Sequence, residues 1–270
     1  MEIDKNDLTG QRIAIPTEFE DIFSHFYIAK NNTDQAIKKR LVLSFQTIIV
    51  FSFGAPIHMN TDSDTQINIE KCIVIGPIKQ PFNYTLPIGA EMLVANFTGD
   101  AFYRFFGQVM LSEHIPINPD NLVNQNCFTN LWHLIKNEDT NNRVNLILDF
   151  CRPYLKDSET AFKNFEEYKD VYTVFNPIKI IAEETNQSER TIQLNHKKYF
   201  GYTAKEKGKY EKFVKAIELL QNQTSKINWF DIIDVCGYYD QSQLIHDFKY
   251  FTGLTPNQYL KFQQEICQGK

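Results

Sequence analysis

A short polar face near the C-terminus carries the side chains with the most specific chemistry in this sequence. Between Gly237 and Gly253 lies a run of helix-forming residues. The outward positions of that helix would be Gln241, Ser242, Ile245, His246 and Lys249. A glutamine amide can form two hydrogen bonds with adenine, an isoleucine can contact a thymine methyl group, and a lysine suits a phosphate. The pattern favours base recognition over bond breaking.

The histidines and cysteines form no catalytic or metal-binding pattern. His58 and His114 flank strand-like segments, but neither belongs to an H-x-H or H-x-x-x-H pair. The five cysteines are odd in number and include no C-x-x-C, which is typical of reduced cysteines in a cytoplasmic protein. Neither G-x-G-x-x-G nor G-K-[ST] occurs. We therefore expect no metal, no cofactor and no enzymatic activity.

The polar face requires a short helix with a sharp stop at each end. Gly237 can adopt the left-handed conformation that ends a preceding helix over residues 229–236. Asp240 can cap the next helix, and Gln243 three residues later fits a capping box. Gly253 predicts the end of that helix.

The opposite face of the same helix is apolar. Leu244, Phe248 and Phe251 recur at i, i+4 and i+7, so we expect them in a core. After Gly253, the pair Thr255-Pro256 places a cap residue and then a proline at the start of another helix.

This arrangement occurs twice, 52 residues apart. Residues 197–203 align with residues 249–255, and Ser188 aligns with Asp240. One helix over residues 203–220 would join the copies and span about 27 Å. That length is near the ~34 Å between successive major-groove faces of DNA, so the repeat predicts two helix-turn-helix units on a common linker helix.

The stretch from Gly237 to Tyr259 resembles the signature of the AraC/XylS family of bacterial transcription regulators. The spacing of its glycines, its Phe-Lys-x-Phe core and its closing Thr-Pro-x-x-Tyr all match, and the resemblance covers residues 171–265. It implies two helix-turn-helix units that bind double-stranded DNA. The family's base-reading positions in the second unit fall on Gln241, Ser242, Gln243, Ile245 and His246.

The first unit departs from the family pattern. Its base-reading positions fall on Arg190, Gln193 and Leu194, and family members usually have an arginine where Leu194 stands. His196 occupies a position that is usually apolar and aligns with the core residue Phe248. We therefore expect the first recognition helix to pack loosely or to read DNA weakly.

Two local features temper that expectation. Thr185 replaces the glycine expected in the turn, although the adjacent Asn186 tolerates the left-handed conformation. Lys197 and Lys198, with Arg190, could still contact the phosphate backbone.

The N-terminal half has strand character followed by helical character. Gly/Pro stops bound the predicted strands, which cover residues 41–53, 67–75, 80–86 and 91–97. A helix is expected from Ala101, further helices within residues 118–155, and a charged linker over residues 156–169. The segments Ile75–Phe82 and Phe97–Gly107 resemble the β-rich N-terminal domain of one subgroup of the family, which implies ligand sensing, dimerisation or both.

The balance of charged residues also differs between the N-terminal and C-terminal parts of the chain. Residues 171–270 carry 13 Lys/Arg and 11 Asp/Glu, whereas the preceding 170 residues carry a net charge of −7. We predict an α+β chain of two domains. Residues 1–165 would form a barrel- or sandwich-like β domain with a helical extension, and residues 171–270 an all-α domain with two helix-turn-helix units. No segment approaches the roughly 18 apolar residues of a membrane span.

The expected function is that of a cytoplasmic, DNA-binding transcription regulator. Family resemblance favours an activator that contacts RNA polymerase, with a small-molecule effector and a homodimer as further partners. Two alternatives stay open. The N-terminal half could be an enzyme or ligand carrier, or the helical half could be a protein-interaction module that has lost part of its DNA readout.

Overall fold

The structure is a computed structural model of the 270-residue chain. It describes residues 8–41, 43–60, 66–107, 116–123, 125–155, 157–168, 177–222 and 228–261. Two compact units are present. One comprises Met1–Phe162 with Lys198–Gly201, and the other comprises Lys163–Lys197 with Tyr202–Lys270.

Antiparallel strands dominate the N-terminal unit. In its described part they are β1 (Leu8–Ile13), β2 (Phe23–Asn31), β3 (Ile37–Leu41), β4 (Ile48–Gly54), β5 (Ile57–Asn60), β6 (Gln66–Ile69), β7 (Cys72–Ile75), β8 (Phe82–Leu86) and β9 (Ala90–Phe97). One sheet has the order β1-β2-β9-β4-β7 and the other the order β3-β8-β5-β6.

The five-stranded sheet is buried on both faces. In β4, Ile48 and Val50 join a cluster with apolar residues of the second sheet, whereas Ile49, Phe51 and Phe53 join a cluster with helical residues. Successive side chains of a strand point to opposite faces. Because both faces meet apolar partners, β4 and β9 are nearly continuous apolar runs rather than alternating ones.

In the described part of the chain, α-helices follow these strands. They are α1 (Ala101–Phe106), α2 (Pro119–Val123), α3 (Cys127–Ile135), α4 (Thr140–Cys151) and α5 (Thr160–Glu166). The buried residues of α1, α3 and α4 belong to the same cluster as Phe51. The helix predicted from Ala101 is therefore confirmed.

Three boundaries expected from the sequence were wrong. The apolar segment 41–53 is divided between β3 and β4, which lie in different sheets, and the segment 67–75 is divided between β6 and β7. In the first case the chain turns through Phe45, which has a φ of 56° without being glycine. The charged segment 156–169, expected as a linker, contains α5, because its phenylalanines Phe162 and Phe165 are buried.

The remaining helices form the C-terminal part of the chain. They are α6 (Pro177–Glu184), α7 (Glu189–Phe200), α8 (Ala204–Asn222), α9 (Trp229–Cys236), α10 (Gln241–Thr252) and a turn of helix over residues 256–261, here α11. The predicted fold class, β-rich followed by all-helical, is confirmed. Within the described residues, every helix is too short or too polar to cross a membrane.

Candidate functional sites

The turn of the second helix-turn-helix is built by Gly237 and its neighbours. Gly237 has a φ of 71°, and the N–H of Tyr238 donates to the carbonyl of Ile233 at 2.9 Å. Because a side chain is strained at this φ, glycine ends α9 at low cost. The Nζ of Lys215 in α8 donates to the carbonyl of Val235 at 2.6 Å, which satisfies another free carbonyl at the end of α9.

The start of α10 is closed by a variant of the capping box, in which Gln243 bonds the residue before the cap. The Asp240 carboxylate accepts the backbone N–H of Gln243 at 2.8 Å, and the Gln243 amide oxygen accepts the backbone N–H of Tyr239 at 2.9 Å. The first bond satisfies a donor in the first turn of the helix, and the second satisfies the donor of the residue before the cap. The cap predicted from the sequence is therefore present, and the Gln243 amide oxygen is engaged in it.

The inner face of α10 packs against α8. Leu244, Phe248 and Phe251 are buried, as predicted. The ring of Phe213 in α8 lies 5.1 Å from the ring of Phe248 and 4.6 Å from that of Phe251. Asp247 is also buried and forms an ion pair with Lys209. This packing fixes which residues of α10 face outward.

The outer face of α10 presents the polar residues selected from the sequence. Gln241, Ser242, Gln243, His246 and Lys249 are exposed, and Ile245 is half-buried. Within the described part of the chain, the side chains of Gln241, Ser242 and Lys249 make no hydrogen bond or ion pair. His246 approaches Asp247, with Nδ1 3.4 Å from Oδ1. The face combines a free amide, hydroxyl and ammonium group with the exposed imidazole of His246, the set that reads base edges and binds phosphate.

The first unit has the same layout with a more polar core. Asn186 adopts a φ of 52° between α6 and α7, as expected for the replacement of the usual glycine. The Ser188 hydroxyl accepts the backbone N–H of Thr191 at 3.1 Å and so caps α7. Arg190, Gln193 and Leu194 are exposed on α7.

His196 fills the core position that the repeat predicted. It is 1% exposed, and its Nδ1–H donates to the carbonyl of Tyr202 at 2.8 Å. Its ring packs edge-on against Phe165 at 5.1 Å between centroids. Burial lowers the pKa of His196 to about 4, so the ring is neutral at pH 7. The expected loose packing is not seen, because a neutral imidazole with a bonded donor serves as a core residue.

The two lysines of α7 are placed differently. Lys197 is half-buried. Lys198 lies in the segment that groups with the N-terminal unit, and its Nζ is 3.0 Å from the Glu159 carboxylate and 4.8 Å from the ring centre of Tyr103. A phosphate contact by Lys198 would require this ion pair to open.

The N-terminal unit contains a cavity that sequence reasoning did not anticipate. Its volume is about 190 Å³, and apolar residues of both sheets line it, among them Val50, Met59 and Val94. The polar lining residues are His25, Tyr27, Ser44, Gln46, Tyr84 and Asn96. They come from separate strands and loops, so no local motif could have identified them.

Metal and nucleophile chemistry gain no support from the described residues. In that part of the chain, no group of three or more His, Cys, Asp or Glu is placed to hold a metal. His58 is paired with Asn68 at 2.7 Å, while His114 falls outside the described ranges. Burial raises the pKa of Cys72 to about 12 and raises that of Cys151 further, which makes both thiols poor nucleophiles.

Residues 219–261 match the family model of "Bacterial regulatory helix-turn-helix proteins, AraC family". The resemblance drawn from the sequence is thus confirmed for the second helix-turn-helix unit. No curated protein sequence is similar enough to count as a match.

Solved structures show distant similarity. ToxT from Vibrio cholerae is 13% identical with a TM-score of 0.41, covering 84% of this chain and 97% of that one. A second ToxT structure, from Vibrio cholerae strain SCE256 with a bound unsaturated fatty acid, is 10% identical with a TM-score of 0.38. The match covers 96% of this chain and 97% of that one. A cupin protein from Desulfovibrio desulfuricans is 11% identical with a TM-score of 0.28, covering 36% of this chain and 88% of that one.

Proposed function

We propose that the chain is a sequence-specific, DNA-binding transcription regulator that acts in the cytoplasm. The observation that carries this proposal is the exposed face of α10. Its Gln241, Ser242 and His246 side chains are held outward by a capping box on one side and by the Phe248 core on the other. Rigid presentation of a few polar groups on a short helix is how helix-turn-helix proteins read a major groove.

The first unit would contribute less to sequence reading. Arg190 and Gln193 are free to contact DNA, but Leu194 offers only an apolar contact to a thymine methyl group. Lys197 and Lys198 would add phosphate contacts once Lys198 leaves Glu159. We therefore propose that one half-site, read by α10, dominates specificity.

The role as an activator rests on a second surface. The side chain of Phe230 is 80% exposed at the start of α9, next to the exposed carboxylates of Asp231 and Asp234. Acidic groups repel phosphate, so this surface suits a protein partner better than DNA. RNA polymerase is the partner that an activator needs at a promoter.

The N-terminal unit would bind a small-molecule effector and supply a homodimer contact. An effector changes DNA affinity only if it binds two conformations of the protein unequally. The cavity between the two sheets is a concave, mostly apolar site with a few polar groups, as effector sites usually are.

A second candidate is a protein-interaction regulator that keeps the helix-turn-helix fold. It is favoured by the exposed apolar side chains Leu194, Phe230 and Tyr239 and by the net charge of only +2 over residues 171–270. Salt dependence separates the two candidates, because only phosphate contacts make affinity fall steeply with salt.

The test is selection of binding sites by the full chain from a random duplex library, followed by titration at several salt concentrations. A selected site bound about 10³-fold or more tightly than scrambled DNA would support a sequence-reading regulator. A Gln221→Ala variant, altered at an exposed position of α8, controls for general damage to the helical unit. No enrichment together with no binding at low salt would overturn the DNA proposal in favour of the protein-interaction candidate.

A further inference from the structure

The cavity in the N-terminal unit is limited in size. Its volume is about 190 Å³. An apolar cavity of ~150 Å³ in another protein accommodates benzene, which has six non-hydrogen atoms. The present cavity is therefore large enough for roughly 7–10 non-hydrogen atoms without rearrangement of the sheets.

The lining restricts the charge of the occupant. The side chains that line the cavity include none from Lys, Arg, Asp or Glu among the described residues. An ionised ligand placed there would lose its hydration without contacting an opposite charge in the lining itself, which is costly. Most of the wall is aliphatic, with aromatic edges from Phe82 and Tyr84.

One polar group in the lining has a defined role as a donor. The guanidinium of Arg12 donates to Nδ1 of His25 at 3.0 Å, so the proton of the neutral imidazole resides on Nε2. Burial, with a smaller effect of Arg12, lowers the pKa of His25 and keeps the ring neutral. Nε2–H has no hydrogen-bond acceptor among the described residues, and His25 belongs to the cavity lining, so we expect a bound ligand to meet this donor.

We propose that this cavity binds a small, neutral, mainly apolar molecule of about 7–10 non-hydrogen atoms that offers one hydrogen-bond acceptor to His25. The inference rests on the proposed function in treating the cavity as the effector site. It adds the size, the charge and the hydrogen-bonding character of the effector.

A series of probes of similar size tests the charge of the occupant on the full chain without DNA. Benzyl alcohol, benzylammonium and benzoate share a ring and differ in charge at pH 7.5. Titration calorimetry should show binding of benzyl alcohol, and benzoate and benzylammonium should bind roughly tenfold or more weakly because their charge must be desolvated. Equal or tighter binding of benzoate would overturn the neutral class.

Size is tested with decanoate and decanol, which are larger than the proposed occupant. Both should bind more weakly than benzyl alcohol. If decanoate or decanol binds more tightly, or if no probe binds at all, the proposed ligand class is wrong.

The hydrogen bond is tested with His25→Phe, which keeps a ring but removes the donor. Benzyl alcohol affinity should fall about fivefold, the usual effect of one hydrogen bond, whereas toluene affinity should stay unchanged. His58→Phe is the matched control, because His58 lies in β5 but not in the cavity lining. A loss of both affinities, or of neither, in His25→Phe would contradict a donor role for His25.

A filling variant gives an independent check on location. Val94→Phe should abolish binding of both toluene and benzyl alcohol, with the fold verified by circular dichroism. If that variant fails to fold, the comparison of toluene and benzyl alcohol binding in His25→Phe still tests whether the ligand lies beside His25. DNA titration of the same preparations distinguishes the two proposals. If the probes bind but DNA does not, the ligand class is supported and the DNA-binding function is rejected. If DNA binds but the probes do not, only the ligand class is rejected.

Discussion

The carboxylate of Asp247 lies 3.3 Å from the ammonium of Lys209 and connects the middle of α10 to α8. Asp247 is 2% exposed, and its second oxygen has no hydrogen-bond partner in the described structure. The lysine is thus the main compensation for a buried charge directly beneath the proposed reading face.

Lys209→Met should destabilise the helical unit, because it leaves the Asp247 carboxylate buried and without its cation. Since Lys209 is partly exposed, we expect a loss of about 1–3 kcal/mol in the free energy of unfolding, at or below the low end for buried pairs. Urea denaturation measures it. Lys205→Met, at an exposed position of the same helix, is the control, and equal midpoints for the two variants would show that the pair contributes nothing.

Gln241→Ala should weaken binding to the selected DNA site while leaving binding to scrambled DNA unchanged. The free amide is lost, and a two-point contact with a base typically contributes about 1–3 kcal/mol of discrimination. Fluorescence anisotropy on both duplexes gives the ratio of the affinity for the selected site to that for scrambled DNA. A parallel fall in affinity for both duplexes would assign Gln241 to the fold or to the phosphate backbone rather than to base reading.

Lys249→Ala should lower the affinity for the selected duplex and for scrambled DNA by the same factor. Its ammonium is exposed and unpaired among the described residues, so a phosphate contact is the expected role. Removal of one such contact lowers the slope of log affinity against log salt by about one. An unchanged slope, with Lys215→Ala measured alongside as a lysine engaged within the fold, would exclude Lys249 from the interface.

Much of the helical unit could be predicted because its signals are local. Gly237, Asp240 and Gln243 lie within seven residues of one another, and each acts on backbone groups a few positions away. The core of α10 follows from helical spacing alone. The sequence predicted both a capping and a base-reading role for Gln243, and the structure shows the capping role.

The β unit was harder to predict for a physical reason. Burial of both faces of β4 and β9 removes the alternation of apolar and polar residues that marks a strand. The ends of these strands can then be predicted only from turn residues. The turn at Phe45 adopts positive φ without a glycine, and the turn between β6 and β7 uses Glu70 and Lys71. Neither carries a sequence signal. The cavity brings together His25 and Asn96, which are 71 positions apart, and only tertiary structure places them side by side.

The buried imidazole of His196 should make the stability of the helical unit depend on pH. Its folded-state pKa of about 4 lies below the ordinary value of 6.5, so the unfolded chain binds the extra proton first as the pH falls. The stabilising contribution of the neutral His196 ring is complete above pH 6.5 and is lost progressively as the pH falls to about 4. Each pH unit within that window corresponds to about 1.4 kcal/mol at most.

His196→Phe separates this contribution from that of the carboxylates, which titrate in both proteins. The variant should lose less stability than the parent between pH 7 and pH 5, by about 2 kcal/mol, even though Tyr202 loses its hydrogen-bond donor at every pH. Urea midpoints at the two pH values measure the difference. Identical slopes for His196→Phe and the parent would show that His196 is protonated alike in the folded and unfolded chains.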